Sequence, residues 1–118
     1  MSSTLIAAGT NATVYRANPA TSVIDIHGEL GGTSEDALVD AYARAVAEGA
    51  QRVVLNFADL EYMNSSGIGL LVTLLVRANR QGRQLVAVGL SDHYRNIFEL
   101  TRLNEAIRVF GSLAEALS

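Results

Sequence analysis

Apolar residues recur in two rhythms along the chain of 118 residues. Leu38, Ala41, Tyr42, Ala45 and Val46 fall at i, i+3, i+4, i+7 and i+8, the stripe of a helix buried along one side. That stripe predicts a helix over 33–49. Thr33 or Ser34 stands where a capping hydroxyl belongs, and Glu35 and Asp36 suit the positive end of the helix. Gly49 sits where a left-handed residue closes it. By contrast, "RVVLNF" (52–57) and "QLVAVGL" (84–90) are short unbroken apolar runs rich in Val and Leu. Runs of this kind predict central strands of a parallel sheet, covered on both faces.

The opening of the chain has strand character. "TLIAA" (4–8) and "ATVYRA" (12–17) are β-prone, and "SVIDIHG" (22–28) alternates, with Val23 and Asp25 on one face and Ile24 and Ile26 on the other. Pro19 in "NPAT" (18–21) fixes its own φ and turns Asn18 away from helix, so 12–17 and 22–27 read as an antiparallel hairpin. A second helix is expected over 66–81, ended by Gly82. Ser91 can cap a third, with Tyr94, Ile97, Phe98 and Thr101 on one face. "IRVF" (107–110) predicts a last short strand, and "SLAEALS" (112–118) a terminal helix capped by Ser112. The order β-β-α-β-α-β-α-β-α implies right-handed crossovers. The expected fold class is α/β: a mixed sheet, made of an N-terminal hairpin and parallel strands, flanked by about four helices.

Composition narrows the classes. The length fits one domain over 1–118, and 49% hydrophobic residues can supply a core. The longest apolar stretch, 68–76, is interrupted by Gly69 and Thr73 and is too short to span a bilayer, so no membrane insertion is expected. No signal-peptide pattern opens the chain, and cysteine is absent, which is compatible with a cytoplasmic home. A net charge of −3 without blocks of like charge, together with 6% aromatic residues and no tryptophan, argues against a nucleic-acid partner.

One junction stands out chemically. In "LEYMNSSGIGLL" (60–71) two hydroxyls, Ser65 and Ser66, lie between a strand and an apolar helix. They can start the helix, attack a substrate, or receive a phosphate. Asn and Ser are good caps. A nucleophile would want the G-x-S-x-G elbow and a nearby base, but Met63 and Asn64 precede Ser65 and only His27 and His93 are available. No P-loop occurs and lysine is absent, so the turn is no nucleotide cradle. Two histidines without cysteine give no metal spacing; Glu29, Asp36 and Asp59 read as solvated, and no cofactor is expected. Wound as a helix, Ile68, Leu71, Val72, Leu74, Leu75, Val76 and Ala78 share a broad arc that should be buried. Gly69, Leu70, Thr73, Arg77 and Arg80 share the opposite arc, near the direction of Ser66.

From Val14 to Leu117 the chain resembles the STAS domain in its single-domain bacterial form, the anti-sigma-factor antagonists. The residues that carry the resemblance are "GEL" (28–30), "VVLNFADLEYMNSSGIGLL" (53–71) and "IFELTRL" (97–103), the middle stretch being the specific one. The resemblance implies a protein that is not an enzyme. Its partner is an anti-sigma factor that is also a serine kinase. That kinase phosphorylates the first serine of a D-S-[ST]-G turn, which maps onto Ser65, and phosphate ends the binding. A metal-dependent serine phosphatase restores it. Asn64, Ser66, Gly67, Leu70, Thr73 and Arg77 are the expected remainder of the turn and partner surface. Two positions depart from the family: Asn64 stands where aspartate is usual, and Gly31 where an aspartate commonly follows "GEL". A second functional class therefore stays open, a STAS adaptor subunit of a transport or signalling complex that is not phosphorylated.

Overall fold

The Pro19 punctuation folds the first strands back on each other. In the computed structural model, which describes residues 10–47 and 49–118, β1 (Thr10–Asn18) and β2 (Thr21–Leu30) pair antiparallel, with Val14 opposite Ile24. The β-prone stretch 4–8 lies outside the described residues. The chain continues through α1 (Glu35–Val46), β3 (Arg52–Asn56), β4 (Leu60–Met63) and α2 (Ser65–Arg80). It then forms β5 (Gln84–Val88), α3 (Asp92–Leu100), a 3₁₀ turn at Leu103–Glu105, β6 (Arg108–Val109) and α4 (Leu113–Leu117). The sheet order is β1-β2-β3-β5-β6, and all pairings beyond the hairpin are parallel.

β4 is the element that apolar patterning did not predict. Its four residues neither alternate nor form an apolar run: Leu60 is half-buried, Glu61 and Tyr62 are exposed, and Met63 is buried. It exists because β2 is ten residues long. The first part of β2 pairs with β3, and Gly28, Glu29 and Leu30 remain to pair with β4. A strand held by backbone bonds to a neighbour's spare length leaves almost no side-chain signature.

Burial on both faces explains the apolar runs. Ile24, Ile26, Val53, Leu55, Leu85 and Ala87 meet Leu38, Tyr42, Leu71, Leu74 and Phe98 from the helices in the main core. Val23, Val54, Val86 and Val88 form a smaller cluster with Ala116 of α4 on the other face. Gly49 (φ 89°) and Gly82 (φ 68°) adopt the left-handed backbone expected after α1 and α2. Ser91 and Ser112 cap α3 and α4 as expected, accepting from the amides of Tyr94 and Glu115.

Three local expectations are corrected. Ser34 occupies the N-cap of α1 without capping it; its hydroxyl accepts from the Gly31 amide at 2.8 Å and so braces the loop after β2. Thr101 is exposed, past the end of α3, with its hydroxyl donating to the Ile97 carbonyl. The third concerns the phase of α2. Val72 and Val76, expected inside, are 43% and 44% exposed, while Leu70, expected outside, is half-buried and packs against the main core.

Candidate functional site

The serine turn is built where β4 runs out against β2 and α2 begins. Asn64 has extended backbone (φ −103°, ψ −176°), and its amide donates to the Leu30 carbonyl at 3.2 Å. Its side-chain Oδ1 accepts from the Gly67 amide at 3.0 Å, so Asn64 is the N-cap of α2. The residue before it is also tied down: the Met63 amide donates to the Tyr94 hydroxyl at 2.8 Å, a buried bond. Ser65 and Ser66 follow as the first two residues of α2, and both are exposed.

Gly67 sets the depth at which α2 sits. A Cβ built there would lie 2.2 Å from the Leu30 carbonyl oxygen and 2.8 Å from its carbon. The backbone of α2 therefore rests directly on the end of β2, which only glycine permits. This close approach also fixes the rotation of α2. Gly67, Leu71, Leu74 and Ala78 face inward, and Ser65, Gly69, Val72, Thr73 and Val76 face solvent. Eight apolar residues spread around the helix could not reveal that phase; a glycine against a carbonyl does.

The result brings together most of the residues singled out from sequence. Ser65, Asn64, Ser66 and Gly67 form the turn, while Thr73 and Arg77 lie on the exposed side of α2. Leu70 is the exception, because its half-buried side chain belongs to the flank of the core. In its place Val72 and Val76 supply the apolar surface. With Thr73, Arg77, Arg80 and Gln81 they line a shallow groove of about 380 Å³ running away from the serines. Tyr62, 54% exposed on β4, adds an aromatic ring three residues before Ser65. At the far end the Tyr42 hydroxyl donates to the Gln81 side chain at 2.8 Å, tying α1 to the last turn of α2. Burial raises the phenol's pKa, against the smaller opposing pull of Arg83 and Arg77, and keeps it a donor.

The loop after β2 completes the site. A Cβ at Gly31 would come 2.9 Å from the Asn64 side-chain nitrogen, and one at Gly32 would be 3.9 Å from the Ser66 side chain. Positions 31 and 64, the two departures from the family pattern, are thus neighbours in space. Both histidines have contacts of their own: His27 Nδ1 lies 3.4 Å from Asp59, and the His93 ring stands edge-on to Tyr94 at 4.9 Å. Among the described residues no group of three or more His, Asp or Glu could hold a metal ion, and no helix is long and apolar enough to cross a membrane.

The cap therefore comes from Asn64 and from neither serine. Asn64→Ala is expected to cost about 0.5–2 kcal/mol, the usual value of a lost N-cap. Ser66→Ala, at an exposed site, should stay within about 0.5 kcal/mol. Chemical denaturation of the two variants checks the contrast, and equal losses would show that Ser66 shares the structural role of Asn64.

A hairpin continued by parallel strands, helices over the sheet, and a solvent-facing serine turn at the second helix define the class of STAS-like α/β domains. The chain belongs to the STAS domain family, whose family model matches residues 12–116. A relative from Staphylococcus aureus (strain NCTC 8325 / PS 47), an anti-sigma-B factor antagonist, is 28% identical over 86 residues, covering 73% of this chain and 80% of the relative. The fold is similar to that of an anti-sigma factor antagonist from Mycobacterium paratuberculosis (TM-score 0.77, 21% identity, 92% of each chain). It is also similar to that of the Bacillus cell fate determinant SpoIIAA in its phosphorylated form (TM-score 0.69, 21% identity, 91% of this chain and 96% of the other).

Proposed function

We propose that this protein is an anti-sigma-factor antagonist: it binds an anti-sigma factor that is itself a serine kinase, and phosphate on Ser65 ends the binding. The observation that carries the reading is the position of Ser65. It is the first residue of α2, exposed, and on the same side of the helix as Val72 and Val76. A hydroxyl there reaches a kinase without unfolding, and the helix N-terminus tolerates the negative charge of a phosphate. The apolar stripe beside it offers a partner the surface that such a phosphate would spoil. The protein acts by binding and catalyses nothing, a metal-dependent serine phosphatase resets it, and the exchange takes place in the cytoplasm.

Incubation with the anti-sigma kinase that co-purifies with the chain, followed by phosphopeptide mapping, tests the switch. Ser65 is expected to carry the phosphate and Ser65→Ala to abolish it. Modification at Ser66 alone overturns the assignment. No modification despite demonstrated binding favours the second reading, a constitutive adaptor subunit. The uncharged Asn64 beside Ser65 is the feature that keeps this second reading in view.

A further inference from the structure

We infer that Tyr94 is a positioning residue for the serine turn, its hydroxyl holding the backbone from which Ser65 is presented; the functional half of this inference rests on the switch proposed above. Besides the pairing of β4 with β2 and the helix bond from the Ile68 amide to the Asn64 carbonyl, three hydrogen bonds hold the chain between Met63 and Gly67. Two come from the immediate surroundings, the Leu30 carbonyl and the side chain of Asn64. The third reaches across 31 residues, from the Met63 amide to the Tyr94 hydroxyl at 2.8 Å. It comes neither from the sheet, as the Leu30 bond does, nor from the turn itself, as the Asn64 cap does.

The bond is placed to matter. Met63 is the last residue of β4, is only 4% exposed, and is separated from Ser65 by Asn64 alone. A buried amide deprived of its acceptor either stays unsatisfied or moves towards water, and both displace the turn. β4 itself resists weakly, since it has four residues and its pairing with β2 is irregular between Gly28 and Glu29. Tyr94 is by contrast well held. The residue is 9% exposed within the main core, and its amide is tied to the Ser91 hydroxyl at 3.3 Å. The first turn of α3 thus grips the serine turn through one phenol, while Asp92, His93 and Arg95 of that turn remain exposed. The His93 ring rests edge-on against the same phenol ring.

Tyr94→Phe keeps the ring and removes the hydroxyl. Amide hydrogen exchange, read by NMR, should accelerate at Met63 by about tenfold more than at Val86 in β5, the scale of one net hydrogen bond. At a temperature where both proteins are folded, kcat/KM for phosphorylation of Ser65 by the co-purified kinase should fall by about tenfold. Ser91→Ala leaves the hydroxyl but unties the helix turn that carries it, so a milder version of the same pattern is expected. Equal acceleration at Met63 and Val86 would mean general destabilisation and overturn the inference. Selective exchange at Met63 with an unchanged phosphorylation rate would overturn its functional half. The two readings fail separately: a wild-type protein that neither binds nor accepts phosphate ends the proposed switch, while the exchange pattern decides by itself whether Tyr94 holds the turn.

Discussion

Gly67→Ala is expected to destabilise the protein by at least ~3 kcal/mol, at the upper end of what overpacking a core costs. The sign is informative, because helix propensity alone favours alanine over glycine by roughly 1 kcal/mol. Sterics win here because the obstacle is backbone. The added methyl would sit 2.2 Å from the Leu30 carbonyl oxygen and 3.0 Å from the Met63 Cγ, and a strand carbonyl cannot rotate aside as a side chain can. Relief requires α2 to lift from β2. That stretches the bond from Asn64 to Leu30 and disturbs the cap that Gly67 completes. Gly69→Ala is the internal control: two residues on, exposed, with nothing within 4 Å of its Cβ position. It should stabilise by about 0.5–1 kcal/mol. Urea denaturation of both variants reads the contrast. A Gly67→Ala protein as stable as the parent would show that α2 does not rest on Leu30.

Phosphate on Ser65 is expected to weaken partner binding about a thousandfold, while the fold stays intact. The group brings about −1.5 to −2 charges into a surface that must lose its water on binding. Several kcal/mol of desolvation and like-charge conflict translate at ~1.4 kcal/mol per factor of ten. The exposed stripe gives an independent handle. Val72→Glu introduces one charge a few residues along the same face and should cost at least ~1.4 kcal/mol of binding, or tenfold. Its melting temperature should stay close to the parent's, because Val72 is 43% exposed. Leu70→Glu should behave in the opposite way and lower the melting temperature, since that side chain is half-buried against the core. Affinity by calorimetry and melting on the same samples separate the two. Val72→Glu with full affinity would remove the stripe from the interface, and phosphorylated protein that still binds would end the switch.

Much of the architecture was legible in the sequence. The helical stripe from Leu38 to Val46, the Val-rich runs at 52–57 and 84–90, the Pro19 turn, and the serines that cap α3 and α4 each carry a local signal. Each is decided within a few residues by backbone conformation or by period. The serine turn was legible for the same reason, as a change from strand to helix marked by Asn64, Ser65 and Ser66. Only the tertiary structure decided how that turn is held and what lies beside it. β4 is made by the spare length of β2, and the phase of α2 by the contact of Gly67 with Leu30. The exchange of Leu70 for Val72 and Val76 on the outer face follows from that contact. The Met63–Tyr94 bond and the nearness of Gly31 to Asn64 join residues about 30 positions apart. Periodicity reports which residues can share a face. Which face turns inward is a property of the neighbour, and a steric contact between two backbones leaves no trace in hydrophobicity.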